Sequence, residues 1–344
     1  VAIEREITER VDLCVGADRL NPSARGWSRR PLLRANLRGS RGRKKRWDYW
    51  AIITDEVVVS FVYADIDYAG LSNVWVMEHG SGSQTTAGVL QPFARGFVMP
   101  EFVCSGSVSI DRPDFSLHID ESLAGTRLRA TAPAGKGSLA GPIDIDITVA
   151  KPDGHESLNV VVPWSARRFQ FTSKQNSRPA TGTVRVGDRS WTIDESHDAW
   201  GVQDLGRGVW KYANRWNWAA ASGHAVDGRV VGLQFGAKWT EGTGATENGL
   251  CIAGRLTKIS DELEWTYSWD DPMQPWRVRS RDSDQVDVSL TPTFDRYDVT
   301  DLKVLKMEVH QCFGTWSGTV TGDDGAPVQL DGIRGFAEEA RNRW

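Results

Sequence analysis

The chain is a succession of short apolar runs rich in β-branched and aromatic residues, and helical stripes are nearly absent. WAIITDEVVVSFVYADI (50–66), LNVVVPW (158–164), TGTVRVGDRSWTI (181–193), RVVGLQFGAKW (229–239) and TDLKVLKMEVHQCFGTWSGTV (300–320) all read as strands. Gly next to Asp punctuates them at Asp153-Gly154, Gly187-Asp188, Asp227-Gly228 and Asp324-Gly325, the chemistry of antiparallel hairpin turns. Such a pattern predicts an all-β protein whose sheets curl on themselves, because closure removes exposed edges and encloses a cavity. One stretch differs. GFAEEARNRW (335–344) has a composition that predicts a short C-terminal helix.

At 344 residues the chain exceeds one ordinary domain, and length alone suggests about two. The segment SKQNSRPATG (173–182) is polar and contains Pro179 and Gly182, which suits a linker and equally suits one long hairpin loop. A division into an N-terminal barrel over residues 1–175 and a C-terminal barrel over 176–344 follows. No strict repeat relates the halves, although strand alternation leaves residue identities free to drift.

Apolar residues make up 40% and charged residues 25% of the chain, so it can bury a core. A formal charge of −4 argues against a general nucleic-acid binder. The basic run Arg38, Arg41, Arg43, Lys44, Lys45 and Arg46 reads as a solvated loop or a local site for an anion. Trp47, Tyr49 and Trp50 follow that run without interleaving it, as stacking on RNA would need. Sixteen tryptophans are the compositional anomaly, and they fit an all-β core or an aromatic ligand cavity.

Cys14, Cys104, Cys251 and Cys312 are widely spaced and make no CxxC or CxxH pattern, so neither zinc nor any other metal is expected. Free buried thiols in a reducing compartment are the expectation, which places the chain in the cytoplasm. No apolar run approaches the roughly 20 residues of a membrane-spanning helix. The sequence opens at Val1 rather than Met, which leaves room for a removed targeting segment.

Chemistry concentrates between Asp194 and His224. Asp194, Glu195, His197, Asp198, Asp204 and His224 lie among Trp200, Trp210, Trp216 and Trp218, proton-transfer groups beside large apolar surfaces. Burial penalises a charged carboxylate, so an Asp or Glu there is expected to hold its proton near neutrality and act as an acid. On a strand Glu195 and His197 share one face, and Asp194, Ser196 and Asp198 the other. His197 and Asp198 cooperate only if a bulge or turn intervenes. Aromatic lining extends to Tyr212 and Trp239. A second polar group, Asp65, Asp67, Tyr68, Asn73, Glu78 and His79, lies in or beside strands, with Asp65 and Asp67 on one face. Pointing inward, they would hold the polar end of a ligand; pointing outward, they are solvent-facing. His118 and His310 read as structural strand residues, and His155 as a surface residue after a turn.

The WG step at Trp200-Gly201, the RGVWKYANRWNWA pattern (207–219) and the opening GWSRRPLLRANLRG (26–39) together resemble a bacterial domain-of-unknown-function family. That family looks related to the lipocalin-like superfamily of carotenoid hydratases and plant tocopherol cyclases. The resemblance implies two lipocalin-like β-barrels around an apolar pocket, with acid-driven addition or cyclisation on lipophilic alkenes and no cofactor. It aligns Asp198 with the hydratase acid, and Trp216 and Trp218 with the pocket aromatics.

The expectation is therefore a cofactor-independent cyclase, hydratase or isomerase acting on a small lipophilic or aromatic molecule. Its expected site combines Asp198, His197, Glu195 and Asp194 with Trp200, Trp210, Tyr212, Trp216, Trp218, Trp239, Asp65, Asp67, Tyr68, Glu78 and His79. A non-catalytic carrier of a lipophilic ligand and a glycoside-processing enzyme using paired carboxylates are the alternatives. A serine hydrolase lacks its GxSxG elbow, and a nucleotide-dependent redox enzyme lacks a GxGxxG after a strand.

Overall fold

The computed structural model describes residues 4–301 and 306–343. Almost every element is a strand. Ile143–Ala150 shows the simplest case, since IDIDITVA alternates buried with more exposed positions along its whole length. Its isoleucines enter one core while its aspartates face outward.

Among the described residues, the first large sheet has 14 strands. Its main path runs from Ser107–Arg112 through Phe115–Glu121, Gly125–Ala132, Ile143–Ala150 and Arg168–Val186 to Trp200–Val209, then Lys44–Ile53, Val57–Asp65, Ala69–Glu78 and Gln84–Pro92. The second has nine strands, with Ala213–His224, Pro327–Arg343 and Lys306–Thr321 as consecutive neighbours near its middle. Each sheet curls into a half-barrel, and together they form two lipocalin-like halves. Trp50, Phe61, Phe115 and Trp191 belong to the core of the first half; Phe235, Trp276 and Trp316 belong to that of the second. No described helix is long and apolar enough to cross a membrane.

Trp200–Val209 is buried at all ten positions. One face looks into the first half, while the other packs against the second sheet with Ala51, Val202, Trp218, Phe313 and Phe336. A strand covered on both sides has no solvent face for its polar residues, so Gln203, Asp204 and Arg207 are buried as well. Buried polar groups need partners.

Two expected elements differ. Residues 173–182, read as a linker or hairpin loop, are the interior of the 19-residue strand Arg168–Val186. Their polarity belongs to the buried interface between the sheets, and sheet membership changes between Val209 and Ala213. The C-terminal helix is absent: residues 335–343 continue the strand Pro327–Arg343, while Trp344 lies outside the described residues. Flanking strands pair with it on both sides, so sheet hydrogen bonds and packing override the local helix propensity of FAEEAR.

Candidate functional site

Where the two sheets meet, Lys174 stands opposite Asp204 in the paired strands Arg168–Val186 and Trp200–Val209. The lysine is 4% exposed, and its Nζ lies 2.9 Å from Asp204 Oδ1 and 3.3 Å from Glu247 Oε2. It also sits 4.3 Å from the centroid of the Trp218 ring. Asp204 accepts further hydrogen bonds from Trp47 Nε1 and Thr172 Oγ1, both at 3.1 Å. Glu247 accepts from Trp239 Nε1 at Oε1, whereas its Oε2 receives no aligned hydrogen bond. From the second sheet Glu338 joins the group, accepting from Trp216 Nε1 at 2.7 Å.

One ammonium therefore faces three carboxyl groups in a place shut off from water. Burial pushes Glu247 up to about 7, with the Asp204 charge adding to the rise while Lys174 and the Trp239 hydrogen bond oppose it. Burial likewise pushes Glu338 up to about 7, against the Trp216 hydrogen bond and the charge of Lys174. Lys174 itself is raised: burial disfavours its charge, but Asp204 and Glu247 outweigh that. The group thus holds carboxylic acids near neutrality beside a retained cation.

Indoles wall this group. Trp210 stacks on Trp239 at 5.6 Å and 18°, and Trp47, Trp164 and Trp216 meet it at 5.7, 5.2 and 5.7 Å in tilted or edge-on geometry. Glycines make the room. A Cβ at Gly206 would overlap the Trp47 indole, and one at Gly236 would overlap the Glu247 carboxyl. A narrow cleft lined by Lys174, Asn176, Gln234, Leu158 and Leu256 among others borders the group at Lys174. Leu158 and Leu256 pack in the same apolar cluster as Trp210 and Trp239, so the cleft joins apolar wall and charge.

The expected aromatic residues are largely brought together here: Trp210, Trp216, Trp218 and Trp239 all contribute, while Tyr212 is 44% exposed beneath Arg43. The four expected acid/base residues lie elsewhere. Glu195–His197 form a 3-10 turn rather than a strand, so strand alternation does not apply to them. Asp194 caps that turn, accepting from Ser196 N and Oγ, which lowers its pKa instead of raising it. Glu195 is exposed. Asp198 has a left-handed backbone (φ 49°) and accepts from Trp200 Nε1 at 2.7 Å and Arg334 Nη1 at 2.9 Å, with His224 Nδ1 at 3.9 Å. His197 Nδ1 lies 3.1 Å from Asp55. Trp200 meets His224 edge-on at 5.5 Å.

The second expected group is likewise divided. Asp65 ends its strand, is buried and pairs with Arg46; Asp67 sits in the following turn at φ 77° and pairs with Lys44 at 3.3 Å. The two are not neighbours on one strand face. Lys45 lies over the Tyr68 ring at 4.2 Å. Glu78 pairs with Arg189 at 3.0 Å. His79 is half-buried, and its pKa is lowered by burial and by Arg334. His155 is half-buried rather than a surface residue, with Nε2 2.9 Å from Asn176 O.

Lys174, Glu247 and Glu338 were not legible as site residues. Lys174 lies in a stretch whose polarity suits a loop, Glu247 in the Gly-rich TEGTGATENG, and Glu338 in a segment of helical composition. Only pairing across the two sheets makes them neighbours.

The fold is similar to two solved structures. One is CghA with Sch210972, at a TM-score of 0.50 and 11% identity over 88% of this chain and 89% of that chain. The other is kievitone hydratase from Nectria haematococca, at 0.49 and 13% over the same shares, 88% and 89%. No curated protein matches the chain in sequence. A family model does match it over residues 4–344, so the chain belongs to the family described as domain of unknown function DUF2804.

Proposed function

We propose that the group between the sheets is a proton-transfer site and that the chain is a cofactor-independent acid/base enzyme of hydratase, cyclase or isomerase type. Its substrate is a lipophilic small molecule. The observation that carries this reading is the pair Glu247 and Glu338, both buried against indoles and both pushed up to about 7. A carboxylic acid that keeps its proton near neutrality can give it to an alkene or epoxide. For an alkene, the O–H bond breaks as a C–H bond forms, leaving a carbocation and a carboxylate. The cation is stabilised by the π-faces of Trp210, Trp216 and Trp239. It then returns a proton to the carboxylate, either directly, or from the new cation that ring closure leaves, or from the oxonium ion formed when water adds, which regenerates the acid. Lys174 holds the negative charge that develops. That the fold neighbour CghA was crystallised with Sch210972 supports a small-molecule role for this architecture.

Asp198 is a second carboxylate beside an indole. Its fixed bonds to Trp200 and Arg334 favour a positioning role at the rim.

The test is conversion of lipophilic and terpenoid compounds by the parent chain and by Glu247→Gln and Glu338→Gln. General acid assistance contributes about 10² to 10⁴-fold, so at least one variant should lose turnover on that scale while retaining binding. Parent turnover should also fall as pH rises above about 7, where the acids lose their protons. Parent-like turnover in both variants would refute the assignment, and binding of many compounds without conversion of any would favour a carrier.

A further inference from the structure

Antiparallel register brings five strand termini to one end of the first half. Val209 pairs with Lys44, Arg46 with Asp65, Asp65 with Gly70, and Ala69 with Pro92. The segments that flank these termini include residues 40–43, 66–68, 93–99 and 210–212. They bring the basic run of the sequence next to apolar side chains that face solvent: Leu90, Phe93 and Val98 are 72, 69 and 74% exposed. We propose that this end docks on the surface of an anionic lipid bilayer, with Phe93 and Val98 entering the apolar layer and the surrounding arginines and lysines meeting the headgroups. Docking needs no turnover, so it stands apart from the reading above.

The segment 93–99 is turned outward by its own packing. Ala94 and Phe97 are buried in the core of the first half, where Phe97 meets Tyr63 at 4.7 Å and covers Gly70, at which a Cβ would overlap the ring. The Val98 N–H donates to Tyr63 Oη at 3.0 Å, and the Phe93 N–H to the Tyr68 carbonyl at 2.8 Å. With those residues anchored, Phe93, Arg95 and Val98 face solvent. Phe93 and Ala94 hold left-handed backbones, at φ 58° and 48°, an uncommon state for a bulky residue. Scattered exposed apolar side chains are ordinary; here three lie on one segment and the strand that leads into it.

Charge selects the occupant. Asp65 is held by Arg46, Asp67 by Lys44 at 3.3 Å, and Glu101 by Arg34 and Arg38 at 2.7 and 3.3 Å. Among the described residues Arg41, Arg95 and Lys211 are exposed and enter no ion pair. Arg95 lies over the Phe93 ring at 5.9 Å, Lys211 over Trp164 at 5.4 Å, and Arg43 over Tyr212 at 5.8 Å. Each pair joins an aromatic body to a cationic head, as side chains at a membrane interface do. The whole chain carries a net charge of −4, so this local excess of cations sets which end approaches an anionic surface. A nucleic acid would use the cations and stack on rings, but it gains nothing from Leu90 and Val98. A bilayer uses both.

The experiment is sedimentation of the full chain with vesicles of phosphatidylcholine and, separately, of phosphatidylcholine with about 30% phosphatidylglycerol. The mixed vesicles should carry the chain down at low salt and the neutral ones should not. Salt at about 1 M, where the Debye length is about 3 Å, should weaken the attachment. Phe93→Ser and Val98→Ser should each weaken it about tenfold, and Arg41→Glu by more than about fivefold. Leu123→Ser removes a fully exposed leucine from the turn at 122–125, away from this end, and should bind as the parent chain does. Circular dichroism should show all four variants folded, since the positions are exposed. Failure of the parent chain to sediment with the mixed vesicles would overturn the proposal. So would parent-like binding by folded Phe93→Ser and Val98→Ser, or a matching loss in Leu123→Ser. Binding to polyuridylate as tight as to the mixed vesicles, and indifferent to both serine variants, would identify a polyanion site instead.

Discussion

Replacing Lys174 by Met keeps the length of the side chain and removes its charge from between two acids. At an effective dielectric of about 20, the pairs at 2.9 and 3.3 Å are each attractive by about 5 to 6 kcal/mol. Desolvation of the ammonium offsets much of this, and breaking a buried pair on one side typically costs about 3 to 5 kcal/mol. The cost should depend on pH in a definite direction. Glu247 is raised from 4.5 to about 7, so between those values the folded state holds more protons than the unfolded one, and stability falls as pH rises through the window. Without Lys174 this carboxyl rises further and the window extends upward. Lys174→Met should therefore lose about 3 to 5 kcal/mol near pH 8 and less near pH 5, where protonated Glu247 needs no cation. Urea denaturation of both proteins across that range measures it. A deficit below about 1 kcal/mol at neutral pH would refute the reasoning, as would one that grows on acidification.

Two further expectations follow from the rim and the C-terminal strand. Asp198→Asn removes a charge from the Arg334 pair, in which both side chains are about one-third exposed, so it should cost at most about 1 kcal/mol in urea denaturation and leave turnover unchanged. Loss of turnover with unchanged stability would restore Asp198 as the acid. Deleting residues 335–344 removes the half of a central strand that pairs with Ala213–His224 and Lys306–Thr321, so circular dichroism should show the second half unfolded. A cooperatively folded deletion variant would show that the strand is dispensable.

Strand content was legible because alternation and β-branched runs reflect backbone geometry, which acts over a few residues. IDIDITVA names its own buried face. Trp210, Trp216, Trp218 and Trp239 stood out because large apolar groups have few places to go but inside, and they do converge. The acid assignment leaned on proximity along the chain, and there proximity misleads. Glu195 and His197 are close to indoles in sequence, yet their turn lies at the rim, where solvent and nearby partners keep Asp194 from rising.

The sequence by itself determined an all-β chain, rich in indoles, with enough alternation to build curled sheets. Only tertiary structure decided which polar residues lose their water. Lys174 sits in a polar decapeptide, Glu247 in a Gly-rich stretch and Glu338 in a segment of helical composition; none carries a local sign of burial. They become a proton-holding group because the second sheet covers the outer face of Trp200–Val209, so that one ammonium must serve three carboxyl groups. Desolvation and charge balance are properties of that contact, and no residue carries them alone.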